Sequence, residues 1–197
     1  MNELILILDS QGQPSKWGTW QEAACYYAKG LVSWELGKTA RVIKGGDNRM
    51  TGEQSTIVTS SIIAVKGESG KRRRRPPSLN NRELFRRDRH LCAYCVKVFS
   101  DSKLTRDHIM PRSRGGDDTW MNVVTCCAKC NQKKDARTPE EAGMALHYTP
   151  YIPSRAEHLI LANRAVLFDQ MEFLLAFVPE GRRLREEILG EFPQLAV

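Results

Sequence analysis

Two Cys-x-x-Cys pairs constrain this chain more than anything else in it. Cys92 and Cys95 form the first, Cys127 and Cys130 the second, at a spacing of C-x2-C-x31-C-x2-C. Each pair sets two sulfurs on one tight turn. Two such turns close a tetrahedral four-thiolate shell of the kind that holds structural Zn2+. The residues between the pairs must then fold as an insertion. Redox-active Cys-x-x-Cys fits less well, because no thioredoxin-like β-α-β pattern surrounds either pair. Cys126 leaves one alternative open, since it could replace Cys127 with a spacing of three to its partner. Cys25 stands apart, inside an expected helix, and reads as a small packing residue. The start MNELILILDS has neither a basic segment nor a small-residue cleavage site, so no secretory signal is expected. A reducing, cytoplasmic setting follows, and it favours metal over disulfides.

The insertion carries its own pattern. Residues 103–110 read as a strand, 111–118 as a turn-rich connection with Gly115-Gly116, 120–125 as the returning strand, and the stretch from Ala128 as a helix. Hairpin then helix brings His108, Asn122 and Asn131 together from three parts. Phosphodiester hydrolysis needs a base to take a proton from water and a cation on the phosphate and leaving oxygen. His108 suits the first role near neutral pH. Asp107 and the Asn131 amide are hard oxygen ligands suited to Mg2+ or Mn2+. Asn122 can bond across the hairpin and fix the His108 loop. Neighbouring side chains on an ideal strand point to opposite faces, so Asp107 and His108 share a site only if the strand ends or bends there.

The stretch DHIMPRSRGGDDTWMNVVTCCAKCNQKK resembles the HNH (His-Me finger, ββα-metal) nuclease motif, in the form stabilised by four cysteines. The resemblance covers roughly residues 80–144 and includes RTPEEAGM. It implies His108 as general base, Asn122 as orienting residue, and Asp107 with Asn131 as ligands of a catalytic Mg2+ or Mn2+, beside a structural zinc on Cys92, Cys95, Cys127 and Cys130. The last position departs from the strict letters, being Asn131 rather than His, and a neutral amide binds metal more weakly. The implied activity is metal-dependent endonuclease cleavage or nicking of DNA, ahead of RNA, by a one-metal mechanism with His-activated water. A zinc-stabilised module that binds nucleic acid without cutting it would keep the cysteines but needs no Asp107, His108 or Asn131.

Charge points to the same partner. The chain is +7, and the segment 71–89 alone holds nine Lys or Arg against Glu83 and Asp88, so the rest balances. A focused stripe favours a polyanion over a diffuse basic character. Phosphate contacts are expected from Arg72, Arg73, Arg74, Arg75, Arg82, Arg86, Arg89, Arg112, Arg114, Lys133 and Lys134; these position a backbone and read no sequence.

The flanks are expected as scaffold. Residues 1–66 read as a small β-α-β-β unit: a strand over 3–8, a loop with Gly12, Pro14 and Gly18, a helix capped by Thr19, strands at 41–43 and 55–65, and a turn at 45–48. A basic linker, 67–79, leads to a helix capped by Asn80, with Leu79 and Leu84 as its staple. The nuclease module spans 80–145, with a further short helix starting at Thr138-Pro139. A helical segment, 146–197, opens with a long helix from Ser154, whose apolar stripe (Leu159, Ile160, Val166, Leu167, Met171, Leu174) is core or the seam of a homodimer. No run is long enough for a membrane span. The expected class is α+β: a ββα-metal core stapled by a four-cysteine zinc site, between an N-terminal β-α-β-β unit and a C-terminal helical segment.

Overall fold

The computed structural model describes residues 3–67 and 76–195. The fold is mixed α+β and divides into two compact units, one drawn from residues 1–75 and 154–197, the other from 76–153. Arg72, Arg73, Arg74 and Arg75 lie outside the described residues.

In the discontinuous unit, β1 (Ile5–Asp9), β2 (Pro14–Gly18), β3 (Val32–Asp47) and β4 (Gln54–Val65) form one sheet in the order β2-β1-β4-β3. β1 pairs antiparallel with β2 and parallel with β4, and β4 pairs antiparallel with β3. All five residues of β1 are buried, because both faces of the sheet are covered. Ile5 and Ile7 face the helix α1 (Trp20–Ala28) with Ala23, Ile63 and Val65. Leu6, Leu8, Ile62 and Ala64 pack against the C-terminal helices α4 (Arg155–Ala162), α5 (Phe168–Leu175) and α6 (Arg183–Glu191). The unit is thus three layers, and the C-terminal helices build its core with the N-terminal sheet instead of forming a segment of their own. Leu159, Ile160 and Leu174 of the apolar stripe are buried in that core.

Four local readings are corrected. The expected loop at 12–18 contains β2, so the strand–helix order is β-β-α-β-β. Pro14 is the first residue of this edge strand, a position where the missing N–H costs nothing. Cys25 is exposed on α1 rather than packed, because it stands two residues past the buried Ala23, on the opposite side of the helix. β3 runs through Gly45-Gly46 to Asp47, and the turn falls at 48–53. There Asn48 Oδ1 accepts the Met50 N–H at 2.9 Å, and Gly52 takes a φ of +71°. The long helix from Ser154 keeps its capping box but ends at Asn163, whose Oδ1 accepts the Ala165 N–H at 3.0 Å.

The second unit holds α2 (Asn81–Arg87), the antiparallel pair β5 (Leu104–His108) and β6 (Val123–Cys127), and α3 (Ala128–Lys134), which packs on both strands. Asn80 caps α2 through the Glu83 N–H at 3.0 Å. Thr138 and Glu141 exchange the bonds of a capping box, at 3.0 and 3.4 Å, yet only turns follow before Gly143. Arg87 is buried at the centre. Its guanidinium donates to both Asp88 oxygens and to the carbonyls of Trp120, Val123 and Tyr151, tying α2 to the hairpin. No helix among the described residues is long and apolar enough to cross a membrane.

Candidate metal centre and nuclease site

The thiol sulfurs of Cys92, Cys95, Cys127 and Cys130 all lie within 4.8 Å of one another. Four sulfurs at about 2.3 Å from a central Zn2+ require this closeness. The first pair sits on a turn closed by the Cys92 N–H to the Lys97 carbonyl (3.0 Å) and the Val96 N–H to the Cys92 carbonyl (3.1 Å). The second spans the end of β6 and the first turn of α3. Cys126 lies outside the cluster. It is buried, its Sγ–H meets the Cys127 carbonyl at 3.2 Å, and burial pushes its thiol pKa up. Burial would also raise Cys92, but the N–H groups of Cys127, Cys95 and Tyr94 outweigh it and bring the thiol down to about 7. Cys95 and Cys130 are pushed up by burial and by the neighbouring thiols. One thiolate therefore forms readily, and four together require a cation. The donor set and its closeness fit a metal such as zinc.

The hairpin distributes the expected site residues over two faces. Asp107 is 4% exposed. Its Oδ1 accepts from Lys134 Nζ at 3.0 Å and its Oδ2 from the Tyr94 hydroxyl at 2.5 Å. Burial and the Asp107 charge push the Tyr94 pKa upward, so this phenol stays a donor. Lys134 Nζ also reaches the His108 carbonyl at 2.8 Å. Lys134, expected on phosphate, is thus corrected: it is 1% exposed and points inward. Asn131 lies on the same side of β5. Its Nδ2 donates to Thr105 Oγ1 at 2.9 Å, and it lines an open depression with Thr105, Ala128, Gln132 and Asp135. Each Asp107 oxygen keeps a second lone pair, and Asn131 Oδ1 takes no hydrogen bond among the described residues, so hard oxygen donors remain for a cation. It would share Asp107 with the Lys134 ammonium. Asp135 lines the same depression, and among the described residues only the four cysteines form a group of three or more His, Cys, Asp or Glu ligands.

His108 is the last residue of β5 and its ring faces the other way. Its Nε2 lies 2.9 Å from Asp118 Oδ1. Arg106 Nη1 donates to both Asp118 oxygens, at 2.8 and 2.6 Å, and this guanidinium is the main reason the Asp118 pKa lies below the usual carboxylate range. Asn122 clamps the loop after His108. Its Oδ1 accepts the Met110 N–H at 2.9 Å, and its Nδ2 donates to the carbonyls of Met110 (3.1 Å) and Asp117 (2.8 Å). Gly116 sits so close that a Cβ there would lie 1.9 Å from the Met110 carbonyl oxygen, so the loop accepts only glycine at this position. Tyr94, Arg106 and Asp118 join the site only through tertiary structure, and no sequence motif marks them.

Among the expected phosphate contacts, Arg82, Arg112 and Lys133 are exposed, Arg114 is paired with Glu141, and Arg86 is paired with Glu83 at 3.0 Å. Arg89 follows α2 in a left-handed turn, with a φ of +56°.

Residues 92–147 match the model of the HNH endonuclease family. This segment contains all four cysteines, the hairpin and α3. A stretch of 65 residues is 42% identical to the CRISPR-associated endonuclease Cas9 of Campylobacter jejuni, covering 30% of this chain and 7% of that protein. The likeness to that relative is therefore confined to a small part of its length.

Proposed function

We propose that the chain is a metal-dependent HNH endonuclease that hydrolyses phosphodiester bonds in DNA, with β5, β6 and α3 as its ββα-metal core and Zn2+ as the structural ion of the cysteine cluster. One observation carries this reading. The HNH match over 92–147 falls on the segment that holds Asp107, His108, Asn122 and Asn131 on one hairpin and its following helix.

In this reading the end of β5 at His108 lets its ring reach a phosphate shared with Asp107, and His108 takes a proton from the attacking water. Asn122 holds the 109–117 loop so that the ring at the end of β5 keeps its place. Asp107, braced by Tyr94 and Lys134, and Asn131 are the oxygen ligands of the catalytic cation. A Mg2+ or Mn2+ ion held by them would supply positive charge against the scissile phosphate and the departing 3′-oxygen. Arg82, Arg112 and Lys133 contact phosphates, together with the tract Arg72–Arg75, in a salt-sensitive and sequence-independent way.

The test is nicking of supercoiled plasmid by the zinc-loaded chain in Mg2+ or Mn2+. His108→Ala is expected to lower the rate by about 10²–10⁴-fold, the usual contribution of a general base. Equal rates for wild type and His108→Ala would overturn the assignment.

A further inference from the structure

The side chain bonded to the His108 ring is Asp118, on the far side of the Gly-Gly loop. Its Oδ1 lies 2.9 Å from His108 Nε2. Arg106 holds the same carboxylate through Nη1, and Arg106 Nε is itself anchored on Asn81 Oδ1 at 3.0 Å, at the start of α2. Arg106 and His108 are two residues apart on β5, so both side chains stand on one face. Asp118 reaches that face from a loop that Asn122 pins through the Asp117 carbonyl. The carboxylate is therefore positioned from two directions, with one oxygen aimed at the imidazole.

An ionised carboxylate only accepts hydrogen bonds, so the proton in this contact belongs to His108 Nε2. A neutral imidazole carries one N–H, which leaves the lone pair on Nδ1. We propose that Asp118, held by Arg106, is the positioning residue of the His108 base: it fixes the Nε2–H tautomer and assigns proton acceptance to Nδ1. This rests on the role of His108 proposed above. In the step itself, one water O–H bond breaks and its proton joins the Nδ1 lone pair. The water oxygen bonds to phosphorus as the P–O3′ bond breaks, and the bonding pair leaves with the 3′-oxygen. The ring then holds two protons and a positive charge, next to the negative charge of Asp118. As an exposed ion pair the contact adds little to stability, so its effect is to be read in the tautomer and the rate.

The experiment uses the full zinc-loaded chain and the variants Asp118→Ala, Asp118→Asn, His108→Ala and the double variant Asp118→Ala/His108→Ala. Long-range 1H–15N correlation of the His108 imidazole reads the tautomer without any turnover. Nicking rates against DNA concentration separate kcat from KM. Wild type should show Nε2–H alone, and both Asp118 variants should lose that single signature. Asp118→Ala should lower kcat by about 10–100-fold, the usual effect of losing a group that orients a functional histidine, with KM changed far less. In the His108→Ala background it should add less than about twofold, because a residue acting through His108 has nothing left to act on. A wild-type Nδ1–H tautomer, or an unchanged kcat in Asp118→Ala while His108→Ala is inactive, would overturn Asp118 and leave the nuclease reading intact. Full activity of His108→Ala would instead remove the base and its partner together. Asp118→Asn keeps the side-chain shape, so the tautomer signal still decides the matter if Asp118→Ala does not fold.

Discussion

Lys133 and Lys134 are neighbours of one residue type with opposite fates. Lys133 is exposed, whereas Lys134 is buried against Asp107 and the His108 carbonyl. Helical period explains the split. Cys127 and Cys130 fix the inward face of α3, and Lys134 lies seven and four residues beyond them, on the same face. The signal was thus present in the sequence, but basic charge next to a nuclease motif reads more readily as a phosphate contact. Tyr94 offered no comparable cue, since only the tertiary fold sets its hydroxyl on Asp107. Removing Lys134 leaves a buried carboxylate with one neutral donor. Lys134→Met is therefore expected to destabilise the second unit by about 3–5 kcal/mol, the cost of breaking a buried ion pair from one side. Lys133→Met should stay within about 0.5 kcal/mol. Urea unfolding of both variants with zinc present checks this, and equal midpoints would show that Asp107 does not depend on its ammonium partner.

At the scale of elements, caps were the most legible feature. Thr19, Asn80 and Ser154 each accept the expected backbone N–H three residues on, because a cap is a local bond within one turn. The same local signal misled at Thr138, where the bonds form but no apolar face follows to extend a helix. β2 was hidden because an edge strand needs neither alternation nor an unbroken donor row. The extent of β3 was hidden because register is set by its partner β4, not by its own propensity. Asp169, near the start of α5, shows how a helix is fastened to such a strand pair. Its carboxylate accepts from Ser61 Oγ at 2.5 Å and from the N–H groups of Lys38 and Gln170 at 2.9 Å. Burial alone would raise its pKa, but these donors outweigh burial and lower it. A carboxylate depressed in the folded state stabilises the fold above its unfolded pKa and loses that contribution as pH falls through the folded value. The discontinuous unit should therefore weaken as pH drops below about 4. Asp169→Asn should cost about 1–3 kcal/mol at neutral pH and flatten this acid-side dependence. Denaturant midpoints of both proteins across the acid range test it, and parallel pH profiles would remove Asp169 as the cause.

For the whole molecule, motif and scaffold differ in how far the sequence reveals them. The cysteine spacing and the DH…N…N letters lie in one continuous stretch, and the structure gathers the four cysteines as that spacing requires. The scaffold is harder to read because its sheet is N-terminal and the helices covering one face are C-terminal, with residues 76–153 between them in the chain. Stability should follow the same division. Much of the core of the 76–153 unit is built around the cysteines themselves, with Ala93, Tyr94, Val124 and Met144 packed on them. Small cores of this kind need a staple, and a four-thiolate site contributes folding energy directly. The core of the other unit is aliphatic, with no cysteine in it. Stripping the metal with a strong chelator should therefore unfold residues 76–153 while the four-stranded sheet and its helices persist. Because the thiols must lose their protons to bind, retention of the ion should weaken as pH falls. Hydrogen exchange resolved by peptide, with metal content measured in parallel, gives the outcome directly. Purified chain without bound zinc, or protection across 92–130 that survives complete metal removal, would show that packing alone holds the cysteine cluster together.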